Sequence, residues 1–456
     1  MISNDLVSPI PYPAGWELVR LRGISKKIGS GSTPTGGQAA YQAKRTNYAL
    51  IRSQNVFDRL FSEAGLAFIS DAQAQGLRNV NLEEDDLLLN ITGDGITFGR
   101  TCMVPARILP ACVNQHVVII RVNRDLVHPG YLLGFLTHPQ VKEYIEGFNA
   151  GGSRRAITKA HIESFVVPLP PMPLQIDIAK TLGGLDDRIA LLRETNATLE
   201  AIARTLFKSW FVDFDPVCAK QEQRVPEAMN EATAALFPDS FTQSTLGLVP
   251  HGWRFSTLGE NTSYLNRGIS PKYVDQGGVV VVNQKCIRDF TLDLSKSRRH
   301  DPAQRKVNGR ELCDGDILVN STGVGTLGRV AQVLSHDEPM IVDSHVTVVR
   351  AGDSLTWNYL GLFMMARQGE IEGLGEGSTG QTELSRSRLM QLLIVVPPKE
   401  ILSEFDQIVV PLRHKFSSNI KQIRTLSILR DTLLPRLISG QLRLPEAETI
   451  LEEVIA

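Results

Sequence analysis

The chain is written twice. Pro13-Ala14-Gly15-Trp16-Glu17 is answered by Pro250-His251-Gly252-Trp253-Arg254, and Asp86-Leu87-Leu88-Leu89-Asn90-Ile91-Thr92-Gly93 by Asp316-Ile317-Leu318-Val319-Asn320-Ser321-Thr322-Gly323. Val113-Asn114-Gln115-His116-Val117 returns as Val342-Asp343-Ser344-His345-Val346, and each copy reaches an arginine, Arg121 or Arg350, soon after its histidine. Tyr131 matches Tyr359, and Pro170-Pro171 matches Pro397-Pro398. The offset drifts from 237 to 227 along the chain, as loop-length changes between diverged copies produce. A repeat of this length commits the chain to two versions of one architecture. With 456 residues, 42% of them hydrophobic, there is material for more than one core.

Within each copy, short apolar runs broken by Gly, Pro, Asn and Asp come first. Val279–Val282, Asp316–Val319 and Val346–Val349 read as strands. A Pro-Pro stop follows, and then a long helical pattern. Ile178, Leu182, Leu185, Ile189, Leu192, Asn196, Leu199, Ala203, Leu206 and Trp210 alternate at spacings of four and three. Phe405, Val409, Leu412, Phe416, Asn419, Ile423, Leu426, Arg430, Leu433 and Leu437 do the same, each 227 further on. That is a heptad seam, with Asn196 and Asn419 as the polar residues able to fix its register. Gly183-Gly184 and Pro411 fall at the same place in the two patterns, which predicts a short helix, a bend and then a long helix. From Leu185 to Trp210 such a helix extends about 39 Å at ~1.5 Å per residue. One turn of DNA is ~34–36 Å.

These patterns predict an α+β chain: two mixed, β-rich domains joined by two long antiparallel coiled-coil helices in a pseudo-twofold repeat. The boundaries read as a first domain at 1–171, a first helical region at 172–215 and a linker at 216–245. A second domain follows at 246–398, then a second helical region at 399–440 and an acidic tail at 441–456.

The formal net charge of -1 excludes a uniformly basic nucleic-acid binder but not a local basic face. Residues 267–310 hold ten Lys/Arg against four Asp/Glu. The five cysteines, Cys102, Cys112, Cys218, Cys286 and Cys313, have neither metal-site nor redox spacing. There is no long apolar run, so no membrane association is expected and a reducing cytoplasm fits best.

Two features invite misreading. Gly323-Val324-Gly325-Thr326-Leu327-Gly328 has dinucleotide-binding spacing, but Arg329 to Leu334 alternates as a strand. Without a following helix there is no anion site of that kind, and a tight turn using glycines at positive φ is expected. His116 and His345 each lie in an apolar strand, with no second His, Cys or carboxylate recurring at ligand spacing. They read as buried histidines satisfied by a fixed hydrogen bond.

The polar loop clusters are more informative. Arg52-Ser53-Gln54-Asn55 corresponds to Asn283-Gln284-Lys285-Cys286. Arg and Lys can pair with guanine, Asn and Gln with adenine. The framework is kept between the copies while these side chains change, as expected of two modules reading different base sequences. Candidate DNA contacts in the first copy are Arg52, Gln54, Asn55, Arg154, Arg155 and Lys159. In the second they are Asn283, Gln284, Lys285, Arg288, Arg298, Arg299, Gln381, Arg386 and Arg388. The candidate helix seam is Leu185, Ile189, Leu192, Asn196 and Leu199 with Leu412, Phe416, Asn419, Ile423 and Leu426. No phosphate-binding Gly-x-x-x-x-Gly-Lys loop and no Asn/Asp-Pro-Pro-aromatic methyltransferase signature is present, so no catalytic residue and no metal ligand is assigned.

The chain resembles the specificity subunits of type I restriction–modification systems. The resemblance rests on the Gly-Trp openings, the bridge Phe207-Lys208-Ser209-Trp210-Phe211-Val212-Asp213-Phe214-Asp215-Pro216 and Ala235-Leu236-Phe237-Pro238-Asp239-Ser240. The closing Leu429-Arg430-Asp431-Thr432-Leu433-Leu434-Pro435-Arg436-Leu437-Ile438-Ser439-Gly440 also carries it. It implies two target-recognition domains, each reading half of a split site in double-stranded DNA. It also implies helices that set the spacer and dock two methyltransferase subunits, with translocase–nuclease subunits added for cleavage. The resemblance places S-adenosylmethionine, ATP and magnesium on those partners and no cofactor on this chain, which would catalyse nothing. Two other classes stay open at this stage. S-adenosylmethionine binding by the purified chain would mark a self-contained DNA methyltransferase. Absence of salt-dependent DNA binding would mark a coiled-coil adaptor.

Overall fold

The structure, a computed structural model, describes residues 6–77, 80–93, 97–148, 155–244, 247–376 and 382–455. The chain divides into two compact units, one of Met1–Leu192 with Gln422–Ala456, the other of Arg193–Lys421. Both are α+β.

In the first unit a four-stranded antiparallel sheet runs in the order Ser25–Ser30, Val117–Val122, Leu87–Asn90, Thr101–Met103. The second unit repeats it as Thr262–Arg267, Val346–Ala351, Ile317–Asn320, Val330–Gln332. The central strands are apolar on both faces because both are covered. Leu87, Leu88 and Leu89 are fully buried, as are Ile317, Leu318 and Val319. A second sheet in each unit contains one parallel pair, Ala111–Val113 beside Tyr48–Ile51 and Met340–Val342 beside Val279–Val282. The Gly-Trp openings form matching turns. Gly15 and Gly252 have φ of 94° and 80°, and each lets the next Trp N–H donate back to a proline carbonyl.

Two further pairs recur. Asp86 and Asp316 are fully buried and take bidentate bonds from Arg121 and Arg350 at 2.6–2.8 Å. These bonds hold both guanidinium pKa values above the usual arginine range. The buried Tyr131 and Tyr359 hydroxyls donate to the Pro168 and Val395 carbonyls, each at 2.6 Å.

The helical patterns become α1, Met172–Phe211, and α2, Lys399–Ile438, each of 40 residues. The expected division into a short and a long helix does not occur: both helices are continuous through Gly183-Gly184 and Pro411. An interior glycine costs about 1 kcal/mol and a proline about 3. Each fully buried aliphatic side chain returns about 1.5–3 kcal/mol. Leu182, Leu185 and Ile189 on α1, and Phe405 and Val409 on α2, bury throughout that region. The unbroken length removes the basis for a ruler measured from a bend at Leu185.

The seam is buried unevenly. In the first unit Leu185, Ile189 and Leu192 pack in one core with Leu426, and Ile423 lies against its edge. In the second unit Asn196 and Asn419 are buried, whereas Leu199, Leu412 and Phe416 are half-buried. The Asn196–Asn419 and Glu200–Arg413 contacts run antiparallel.

The sequence predicts a linker over residues 216–245. Short helices, Asp215–Gln221 and Glu231–Leu236, form there, and Val217 and Phe237 enter the second unit's core. The acidic tail forms a helix, Leu444–Ile455. Among the described residues no helix is long and apolar enough to cross a membrane.

Candidate nucleic-acid interface

The two variable clusters form the same structure. Ser53–Asn55 and Gln284–Cys286 are single 3-10 turns after the strands Tyr48–Ile51 and Val279–Val282. Each turn is held by a buried asparagine from the neighbouring sheet. Asn90 Nδ2 donates to the Ser53 carbonyl at 3.0 Å, and Asn320 Nδ2 donates to the Gln284 carbonyl at 3.2 Å. Both asparagines are fully buried. They escaped assignment as positioning residues in the sequence, although they sit in its best-matched motif, Asn90-Ile91-Thr92 and Asn320-Ser321-Thr322.

Several candidates serve the turns themselves. Asn55 is fully buried, donates to the Ser62 and Ala64 carbonyls and accepts from Arg52 N. Asn283 is buried, donates to the Lys296 carbonyl and accepts from Lys285 N. Neither side chain is presented to solvent, so neither is available to a base edge in this conformation. Arg52 is half-buried, donates to the Gly65 carbonyl and lies over Tyr41 at 5.4 Å. Gln54 is exposed and donates to the same carbonyl at 3.2 Å.

In the second unit Gln284 meets Thr322 and Thr326 at 3.4 and 3.3 Å, and Lys285 and Arg288 stand exposed. Arg298 stacks on Tyr273 at 3.4 Å from its centroid, while Arg299 is held bidentately by Glu338 at 2.7 and 3.0 Å. Lys159 and Arg386 open matching short helices capped by Thr158 and Ser385. Lys159 pairs with Glu163, Arg386 donates to Asn266 at 2.6 Å, and Arg388 pairs with Glu376. Thus Gln284 and Lys285 share one turn, whereas Arg298, Arg299, Arg386 and Arg388 lie on other elements. Arg154 and Gln381 lie outside the described residues, as do 151–153 and 378–380. Arg155 is in a short strand paired with Thr92–Gly93.

The Gly-rich segment is a turn between Ile317–Asn320 and Val330–Gln332, with Gly323, Gly325 and Gly328 at φ of 106°, 70° and 79°. No helix follows it directly. The histidines differ from expectation. His116 is half-exposed and His345 exposed, because the strands begin one residue later. The side chains of Asn114 and Asp343 accept the histidine N–H groups at 3.1 and 2.9 Å and form the turns that expose the rings. The fixed hydrogen bond is present in both copies, His116 to Thr92 at 2.7 Å and His345 to Thr322 at 2.9 Å.

Residues 13–201 match the family described as type I restriction modification DNA specificity domain. The chain is 25% identical over 448 residues to the type I restriction enzyme HindI specificity subunit of Haemophilus influenzae, covering 87% of this chain and 94% of that protein. It is 25% identical over 333 residues to the MjaIX specificity subunit of Methanocaldococcus jannaschii, covering 71% and 72% of the two chains. Its fold is shared with the S subunit of a type I restriction–modification system from M. genitalium. That likeness has a TM-score of 0.54 at 14% identity and covers 94% of this chain and 98% of that one. With its duplicated framework, the chain is similar over most of its length to specificity subunits of type I restriction–modification systems, and its residues 13–201 match their DNA specificity domain.

Proposed function

We propose that each unit reads one half of a split site in double-stranded DNA, through turns held on a common framework but carrying different side chains. The observation that carries this reading is the repeated support of the recognition turn. Asn90 and Asn320 hold the same backbone position beneath Ser53-Gln54 in one copy and Gln284-Lys285 in the other. A fixed scaffold with exchanged polar tips suits readout of different base edges.

In this reading α1 and α2 fix the spacing of the half-sites and dock two methyltransferase subunits. Translocase–nuclease subunits join for cleavage. Catalysis, with S-adenosylmethionine, ATP and magnesium, belongs to those partners, and the assembly works in the cytoplasm. The test is binding of the full chain, with its methyltransferase, to specific and random duplexes across a salt series. Preference for one split sequence above a salt-dependent background supports the reading. Equal affinity for all duplexes at every salt concentration contradicts it.

A further inference from the structure

Two copies that read different bases on one framework need two kinds of polar surface. Side chains that differ between the copies suit bases that differ. Solvent-facing polar side chains that are the same in both suit what is the same in both half-sites, the sugar–phosphate backbone. Beside the turns at Ser53–Asn55 and Gln284–Cys286, that repeated surface is a histidine–threonine pair. His116 meets Thr92 at 2.7 Å, and His345 meets Thr322 at 2.9 Å. Their neighbours have diverged, Ile91 against Ser321, Asn114 against Asp343 and Gln115 against Ser344. The pair is kept although His345 is exposed and His116 half-exposed, where no core requires the ring.

Each pair adjoins a candidate DNA contact. In the second unit Thr322 Oγ1 also receives Gln284 Nε2 at 3.4 Å, and Gln284 Oε1 accepts from Thr326 Oγ1 at 3.3 Å. The packing is close, since a Cβ at Gly323 would overlap Gln284 Oε1. Gln284, Thr322 and His345 therefore form one row. A threonine hydroxyl has one proton to give. With Gln284 donating to Thr322, that proton serves His345 Nδ1, and the ring carries its own proton on Nε2. This Nε2 has no partner among the described residues. Glu383, opposite Thr322, is paired with Arg267. In the first unit Ala156 stands opposite Thr92 and Arg155 opposite Gly93, so a candidate phosphate contact lies next to the pair in register.

Resting on the split-site reading, we propose that His116 and His345 each donate from Nε2 to a phosphate oxygen of their own half-site, with Thr92 and Thr322 fixing the rings. The contact sets the position of the duplex without reading its sequence. In the second unit it anchors the backbone beside Gln284.

The test uses the full chain with its methyltransferase, on random duplexes and on the duplex carrying its methylated motif. Each phosphate of the motif duplex is replaced in turn by an uncharged methylphosphonate. His345→Ala should weaken binding about tenfold on both duplexes, the scale of one hydrogen bond to a charged group, and leave the methylated motif unchanged. The variant should also become indifferent to one methylphosphonate that weakens the wild type, in one half-site only. His116→Ala should do the same in the other half-site. A folding defect would instead alter both half-sites at once. His345→Gln, whose amide N–H can stand near Nε2, should recover part of the loss. Unchanged affinity, loss confined to the motif duplex, the wild-type pattern of methylphosphonate sensitivity in either variant, or a changed motif would each overturn the proposal. A wild type that prefers no split sequence would overturn the reading beneath it, while loss on random duplexes would still test the histidines.

Discussion

Asn419 donates from Nδ2 to Oδ1 of Asn196 across the two helices at 2.8 Å, and Asn196 passes the contact on to the Phe416 carbonyl at 3.3 Å. Asn419 is fully buried and Asn196 is 5% exposed. A buried amide pair in an otherwise apolar seam penalises every register that separates its members. Asn419→Leu leaves the Asn196 carbonyl oxygen without its donor and should cost about 1–3 kcal/mol. The double variant Asn196→Leu/Asn419→Leu removes both polar groups and should regain most of that loss. Thermal unfolding of the two variants checks this; equal destabilisation would show that the pair is not a coupled unit.

Asp406 gives a pH signature. Its carboxylate accepts from Thr356 Oγ1 and Asn358 Nδ2, each at 3.1 Å. Burial raises its pKa despite those two bonds. The folded chain therefore holds this proton more tightly than the unfolded chain. Stability from this group is full below the unfolded value of about 3.9 and falls as pH rises through the folded value. Asp406→Asn should flatten that part of the profile and gain on wild type at neutral pH. Melting temperatures of both proteins across the acid range decide it, and parallel curves would exclude Asp406 as the source.

Much of this architecture was legible because burial leaves periodic marks. The strands around Leu87–Asn90 and Ile317–Asn320 and the seam from Leu185 to Leu192 are written as apolar repeats. The expected break came from weighing Gly183-Gly184 and Pro411 locally, where side-chain burial on both sides outweighs them. The site was less legible because a polar residue does not announce its partner. Asn55 and Asn283 look like base contacts and instead tie down their own turns. Asn90 and Asn320 look like strand ends and instead hold the turns at Ser53–Asn55 and Gln284–Cys286. His116 and His345 were placed inside because the turn made by Asn114 or Asp343 cannot be seen in an apolar run.

Arg154 and Arg155 carry the charge prediction. As phosphate contacts, their change to Ala should weaken binding similarly on specific and random duplexes and make the salt slope shallower. Loss confined to the specific site would instead make them base contacts, and unchanged affinity would remove them from the interface.

The unbroken helices make a spacing test possible. Four helix-forming residues inserted after Asn196 and after Ile423 lengthen each helix by ~6 Å and add a net rotation of ~40°. One to two base pairs of DNA advance ~3.4–7 Å and turn ~35–70°, close enough for a small twist to absorb the difference. The expected result in the methylated motif is the same two half-site sequences with a spacer longer by about one or two pairs. Altered half-site bases, or an active variant with an unchanged spacer, would show that the helices do not set the distance.

Independent reading of two half-sites is the central claim, and a domain exchange tests it most directly. Residues 246–398 are replaced by the matching region of a relative of known specificity. The hybrid is expressed with its methyltransferase, and the methylated motif is sequenced genome-wide. A motif that keeps one half and takes the other from the donor is the predicted result. Change in both halves, or in neither, would contradict the account.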